Sequence, residues 1–132
     1  MTDQTYAQLS CYLVDDDPSI TELVTLLLQK KGHVVASNTS SIKALPEIIA
    51  QRPQLVILDI MMPEIDGFMV LKNLKEDVDT KDIPVIMLTN LGQEEDIEKG
   101  KRLGAIDYLV KANLTPGQVV AKVKEVLNKP TA

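Results

Sequence analysis

Leu55-Val56-Ile57-Leu58-Asp59-Ile60-Met61-Met62-Pro63 joins a four-residue apolar run to a charge and then to a turn. Four consecutive apolar residues suit a strand covered on both faces, as in a parallel sheet. Asp59 then stands at that strand's carboxyl end, the edge where open α/β sheets bind ligands. A carboxylate buried there alone is costly, so a positive partner is expected. Asp66-Gly67 follows the turn and opens a new helical pattern at Phe68, Leu71 and Leu74.

The same alternation extends in both directions. Upstream, Leu9 to Val14 reads as a strand, followed by Ile20, Leu23, Val24, Leu27 and Leu28 at helical spacing up to Gly32. His33 to Ser37 reads as a second strand, and Ser40 to Gln51 as a helix closed by Arg52-Pro53. Pro46 lies inside that helix and is expected to bend it, since it cannot donate to the carbonyl of Ile42. Downstream come a strand at Val85–Leu88, a helix at Gln93–Leu103 and a strand at Tyr108–Val110. A last helix, capped by Thr115, carries Val119, Val120, Val123, Val126 and Leu127. Gly100 falls inside the fourth helix, where close packing or a loosened helix is expected of it.

Strands alternating with helices, and connections too long for hairpins, predict parallel pairing with helical crossovers on both faces. The expected fold is α/β: a doubly wound five-stranded parallel sheet, flavodoxin-like (βα)5, in three α/β/α layers. The 132 residues fit a single domain, with a core over about residues 9–128 and loose ends outside it. Aromatics are 3% of the chain, so the core is expected to be aliphatic.

Composition narrows the function. A net charge of −5 without a basic run argues against direct nucleic-acid binding. No apolar run approaches the ~20 residues that cross a bilayer, and no secretory signal is visible. Cys11 is the one cysteine and reads as a buried thiol, so a cytoplasmic location is expected. His33 is the one histidine and reads as structural.

The chemistry gathers at strand ends. Strand one runs into Asp15-Asp16-Asp17-Pro18, where successive carboxylates repel unless a cation or donors divide them. Asp17 before Pro18 suits a helix N-cap, which leaves Asp15 and Asp16 without a structural task. A parallel sheet brings them to the crevice that receives Asp59. Such a set of oxygens suits a hard cation, Mg²⁺ with Mn²⁺ also fitting. Thr89 and Lys111 close strands four and five at the same edge, supplying a hydroxyl and an ammonium for phosphate oxygens. Acids, hydroxyl and ammonium together suit phosphoryl transfer, which needs mainly positioning and charge compensation.

The ordered set Leu13-Val14-Asp15-Asp16, Leu58-Asp59-Ile60-Met61-Met62-Pro63 with Asp66-Gly67, Val85-Ile86-Met87-Leu88-Thr89 and Asp107-Tyr108-Leu109-Val110-Lys111 resembles the receiver domain of bacterial two-component response regulators. The resemblance covers roughly residues 9–128 and implies a stand-alone, chemotaxis-regulator-like switch in a phosphorelay. It implies Asp59 as phospho-acceptor, Asp15 and Asp16 as holders of Mg²⁺, and the backbone carbonyl of Met61 as a further metal ligand. Thr89 and Lys111 would contact the phosphoryl group. Tyr108 would rotate with Thr89 and remodel the face formed by helix four, strand five and helix five. The donor would be a sensor histidine kinase or a histidine phosphotransfer protein, and a downstream protein would dock on that face, with the chain a monomer or weak dimer. The chain would catalyse its own phosphorylation and dephosphorylation but would not be an enzyme in the ordinary sense. How the metal divides between Asp15 and Asp16 stays open.

Ala112 departs from the family, which usually has Pro after the pocket lysine and a cis bond before it. A cis bond before Ala costs ~3 kcal/mol, so a trans Lys111-Ala112 bond and an altered loop are expected. The resemblance implies that Met61 and Leu91, two residues past Asp59 and Thr89, flank the site; both are apolar here and are expected to hinder the attacking water. Rival classes fit worse. Haloacid-dehalogenase-type phosphatases carry Gly-Thr where this chain has Pro18-Ser19, and a flavin site needs a phosphate loop free of Asp15-Asp16-Asp17. A non-phosphorylated interaction module leaves the complete acid, hydroxyl and ammonium set unexplained. The chain ends soon after the last helix, so no output domain is expected on it, and a single-domain regulator, a relay intermediate and a receiver excised from a larger protein all stay open.

Overall fold

A computed structural model describes residues 10–128. The apolar run at its centre forms β3 (Leu55–Leu58), buried along its whole length. It pairs in parallel with β1 (Cys11–Val14) on one side and β4 (Val85–Thr89) on the other. β2 (Val35–Asn38) pairs with β1, and β5 (Asp107–Val110) with β4, giving the order β2-β1-β3-β4-β5 in one parallel sheet. The helices are α1 (Pro18–Lys30), α2 (Ser41–Gln51), α3 (Gly67–Glu76), α4 (Glu94–Arg102) and α5 (Pro116–Leu127). This is the doubly wound, flavodoxin-like sheet expected from the alternation.

The two faces follow from strand period. Leu55 and Ile57 join Leu13, Val24, Leu28, Val119 and Val123 in a core under α1 and α5. Val56 and Leu58 face the other way and join Ala44, Ile48, Leu71 and Leu74 under α2 and α3. Ile97 and Leu103 of α4 pack on this second core. The aliphatic expectation holds, with one refinement: Tyr12, Phe68 and Tyr108 all bury on the second face.

Local chemistry sets the ends. Ser40 accepts from the Lys43 amide and Asp66 from the Met69 amide, capping α2 and α3. Thr115 and Gln118 form a reciprocal capping box on α5. Gly32 takes φ +92° after α1, a conformation that favours glycine. Asp17 is the residue before α1, at the position expected of an N-cap. α2 runs through Pro46 as one helix. β2 starts at Val35 rather than His33, because its ladder with β1 begins at the Cys11–Val35 pair. His33 instead turns back, its amide donating to the Leu28 carbonyl at 3.1 Å. The expected strand start at Leu9 and the expected loose ends at 1–8 and 129–132 lie outside the described residues.

Candidate functional site

β1 and β3 are adjacent, with β2 and β4 on their outer sides, so strand order reverses here and their carboxyl ends open into a crevice. Asp15 follows Val14 and Asp59 follows Leu58, two residues paired in the β1–β3 register. Both acids are buried. Asp16 is exposed, yet carboxylate oxygens of Asp15, Asp16 and Asp59 lie within 4.8 Å of one another. The convergence expected of the three acids is present.

Lys111, one residue past β5, reaches back into this cluster with its side chain only 7% exposed. Its Nζ donates to Asp59 Oδ2 at 3.2 Å and lies 2.7 Å from Asp15 Oδ2. The second approach is off-line for a hydrogen bond, so Asp15 Oδ2 is ion-paired without a directed donor. Burial works against the ammonium's charge, but Asp15 and Asp59 outweigh it and raise its pKa. Asp15 is pushed up to about 6 from 3.8, chiefly by burial, against the pull of Lys111 and the Asp17 amide. That amide donates to Asp15 Oδ1 at 2.8 Å, and the Ile60 amide to Asp59 Oδ1 at 2.7 Å.

Three carboxylates face one ammonium, an uncompensated negative balance in a partly desolvated crevice. An all-oxygen donor set with one buried oxygen lacking a directed donor fits a hard divalent cation. Asp15, Asp16 and Asp59 are the residues that would hold it.

Thr89 ends β4 fully buried, its Oγ1 accepting from the Leu91 amide at 3.4 Å. Tyr108, in β5 beside Met87, is turned inward, and its hydroxyl donates to the Leu91 carbonyl at 2.5 Å. Burial, with Asp96 and Asp59 adding, pushes the phenol up to about 12. Thr89 and Tyr108 therefore hold the same residue of the β4–α4 loop. Met61, in the β3–α3 loop, exposes 61% of its surface, and Leu91 is half-buried. The described residues contain no cis peptide bond, so Lys111-Ala112 is trans as expected, and Lys111–Asn113 form a 3-10 turn.

Several contacts here were not read from the sequence. A Cβ on Gly67 would stand 2.0 Å from the Asp59 carbonyl oxygen, so the first turn of α3 presses on the Asp59 backbone. Ser40 Oγ donates to Glu64 at 2.6 Å and Ser41 Oγ accepts from the Ile65 amide at 3.3 Å, tying the loop after β3 to α2. Gly100 lies against the Tyr108 ring. Polar residues next to helix starts and a mid-helix glycine were the available signals, but none names its partner.

Sheet order, acid crevice and inward lysine together define a receiver-type signalling domain. The response regulator receiver domain family matches residues 11–124, and the chain belongs to that family. Receiver domains are the phosphoryl-acceptor switches of two-component response regulators, not classical enzymes, and they bind Mg²⁺. Response regulators interact with histidine kinases. The chain is 39% identical over 117 residues to the DNA-binding dual master transcriptional regulator RpaA of Synechocystis, covering 89% of this chain and 48% of that protein. It superposes on the chemotaxis protein CheY4 of Vibrio cholerae with TM-score 0.81 at 30% identity, over 91% of this chain and 99% of that one. The Mn²⁺-bound form of response regulator Rcp1 gives TM-score 0.79 at 26% identity, over 93% and 97%.

The chain spans about half the length of the curated relatives it matches. One of these is named as DNA-binding, which corrects the expected exclusion of nucleic acid: the exclusion has no support for a full-length protein containing this domain. No helix among the described residues is long and apolar enough to cross a membrane.

Proposed function

We infer that Asp59 accepts a phosphoryl group from a phosphohistidine on a sensor histidine kinase or histidine phosphotransfer protein. The observation that carries this reading is Lys111 Nζ bridging the buried carboxylates of Asp15 and Asp59 beside Asp16. An Asp59 oxygen forms the new bond to phosphorus while the phosphorus–nitrogen bond breaks and the imidazole leaves. Lys111 pairs with the oxygens of the incoming group, and the Thr89 hydroxyl turns from the Leu91 amide to donate to one of them. A divalent cation held by Asp15, Asp16, Asp59 and the Met61 carbonyl supplies charge neutralisation of the phosphoryl oxygens. Mg²⁺ is the resident ion of this reading, and the Mn²⁺ named for Rcp1 supports a site that takes either. The same residues serve hydrolysis of the product, so the chain speeds only its own phosphorylation and dephosphorylation.

Output follows from the shared hold on Leu91. Drawing Thr89 towards the phosphoryl group favours the inward Tyr108 and one arrangement of the α4-β5-α5 face, on which a downstream protein docks. Phosphorylation biases a pre-existing equilibrium only by its differential interactions with the two arrangements. A cytoplasmic, monomeric or weakly dimeric single domain goes with this reading. Intact-mass measurement after a small phosphodonor with Mg²⁺ tests it. One phosphate adduct is expected on the wild type and none on Asp59→Asn; an adduct that survives the substitution, or never forms, overturns the assignment.

A further inference from the structure

α4 touches the body of the domain in an unusual way. Gly100 is its buried residue, and otherwise only half-buried Ile97 reaches the core from within the helix, with Leu103 just past its end. A Cβ on Gly100 would stand 2.9 Å from Cδ2 and 3.2 Å from Cε2 of Tyr108, and 3.6 Å from Met87 Cγ. The first distance is below any ordinary contact, and the atoms met belong to a rigid ring. The ring is pinned at its far end by the hydroxyl bond to the Leu91 carbonyl. One residue earlier, Lys99 Nζ sits 4.5 Å from the centre of the Phe68 ring, which holds α4 towards α3. Adding a methyl at position 100 therefore leaves two exits: the ring swings out, or α4 lifts off its floor. Either exit ends the arrangement seen here.

We propose that Gly100 is the positioning residue that admits the inward Tyr108 ring beneath α4, so that ring rotation and α4 seating are one event. With Tyr108 outward, α4 loses the ring that forms its floor. With α4 seated, the ring has no room to coexist with any side chain at position 100. Glycine is kept mid-helix, where alanine is the better helix former, because the inward ring occupies the space of a Cβ. That ring position reports phosphorylation only if the function inferred above holds, and the test separates the two.

The 132-residue chain labelled with 3-fluorotyrosine gives one fluorine resonance for each of its three tyrosines, Tyr6, Tyr12 and Tyr108. Gly100→Ala is expected to move the Tyr108 resonance towards that of the free amino acid and leave Tyr12 unmoved. Beryllium fluoride with Mg²⁺ is expected to drive the wild-type Tyr108 resonance further inward, and Gly100→Ala to need at least tenfold more for half its effect. In urea, Gly100→Ala is expected to lower the midpoint of the wild type but raise it in a Tyr108→Ala background, where only helix propensity remains. Should Gly100→Ala alone fail to fold, its rescue by Tyr108→Ala supports the same steric coupling. An unmoved Tyr108 resonance, or an equal rise in midpoint in both backgrounds, overturns the proposal. If Gly100→Ala moves Tyr108 while beryllium fluoride moves it in neither protein, the role of Gly100 stands and the phosphoryl-switch reading fails.

Discussion

Asp15 carries the clearest electrostatic tension in the molecule. Burial holds its pKa near 6 although 3.8 is its ordinary value, so between those two pH values the folded chain keeps a proton that the unfolded chain has released. Protons then favour the fold, and the metal-free protein loses stability as pH rises from 3.8 through about 6. Urea midpoints in chelator are expected to drop across that window relative to Asp15→Asn; a constant difference between the two proteins contradicts the assignment. A proton on Asp15 also competes with a cation, so Mg²⁺ affinity should be about tenfold lower at pH 5 than at pH 7. Met61, two residues past Asp59, is exposed, and Leu91, two residues past Thr89, is half-buried, and both are apolar. Replacing both with polar residues is expected to shorten the lifetime of the Asp59 phosphate several-fold, read as decay of the adduct mass; an unchanged lifetime counts against that role.

Among elements, α3 and α4 meet the site through glycines, and this is where the sequence was hardest to read. Apolar periodicity located the helices because it reports which face is buried, and helix bounds agree within one or two residues. It does not report how closely a helix approaches. Gly67 lies against the Asp59 carbonyl and Gly100 against Tyr108, contacts between consecutive elements whose closeness is set by how each helix seats on its strand. Gly67→Ala would place a Cβ 2.0 Å from that oxygen, against backbone that cannot give way cheaply. A loss of at least about 3 kcal/mol in urea unfolding is expected, the upper end for overpacking, together with a lower phosphorylation yield. A loss below about 1 kcal/mol would show that α3 slides freely on β3.

For the whole molecule, stability and metal occupancy are linked through the uncompensated acids. A cation that binds only the folded chain raises stability with concentration, by about 2.7 kcal/mol at one hundred times its dissociation constant. Thermal unfolding is expected to shift upward with Mg²⁺, to return with chelator, and to lose this dependence in Asp15→Asn combined with Asp59→Asn. Persistence of the full shift in that double variant places the ion elsewhere. The sequence by itself determined the sheet class and the strand ends, and it singled out Asp15, Asp16, Asp59, Thr89 and Lys111 as candidate site residues. Strand alternation and terminal charges are local properties, and parallel topology carries every strand's carboxyl end to one edge. Only the tertiary structure decided the bridging of Asp15 and Asp59 by Lys111, the inward Tyr108 bonded to Leu91, and the seating of Gly100 on that ring. Those depend on side-chain direction and on the distance between layers, which are properties of packed elements and have no counterpart in spacing along the chain.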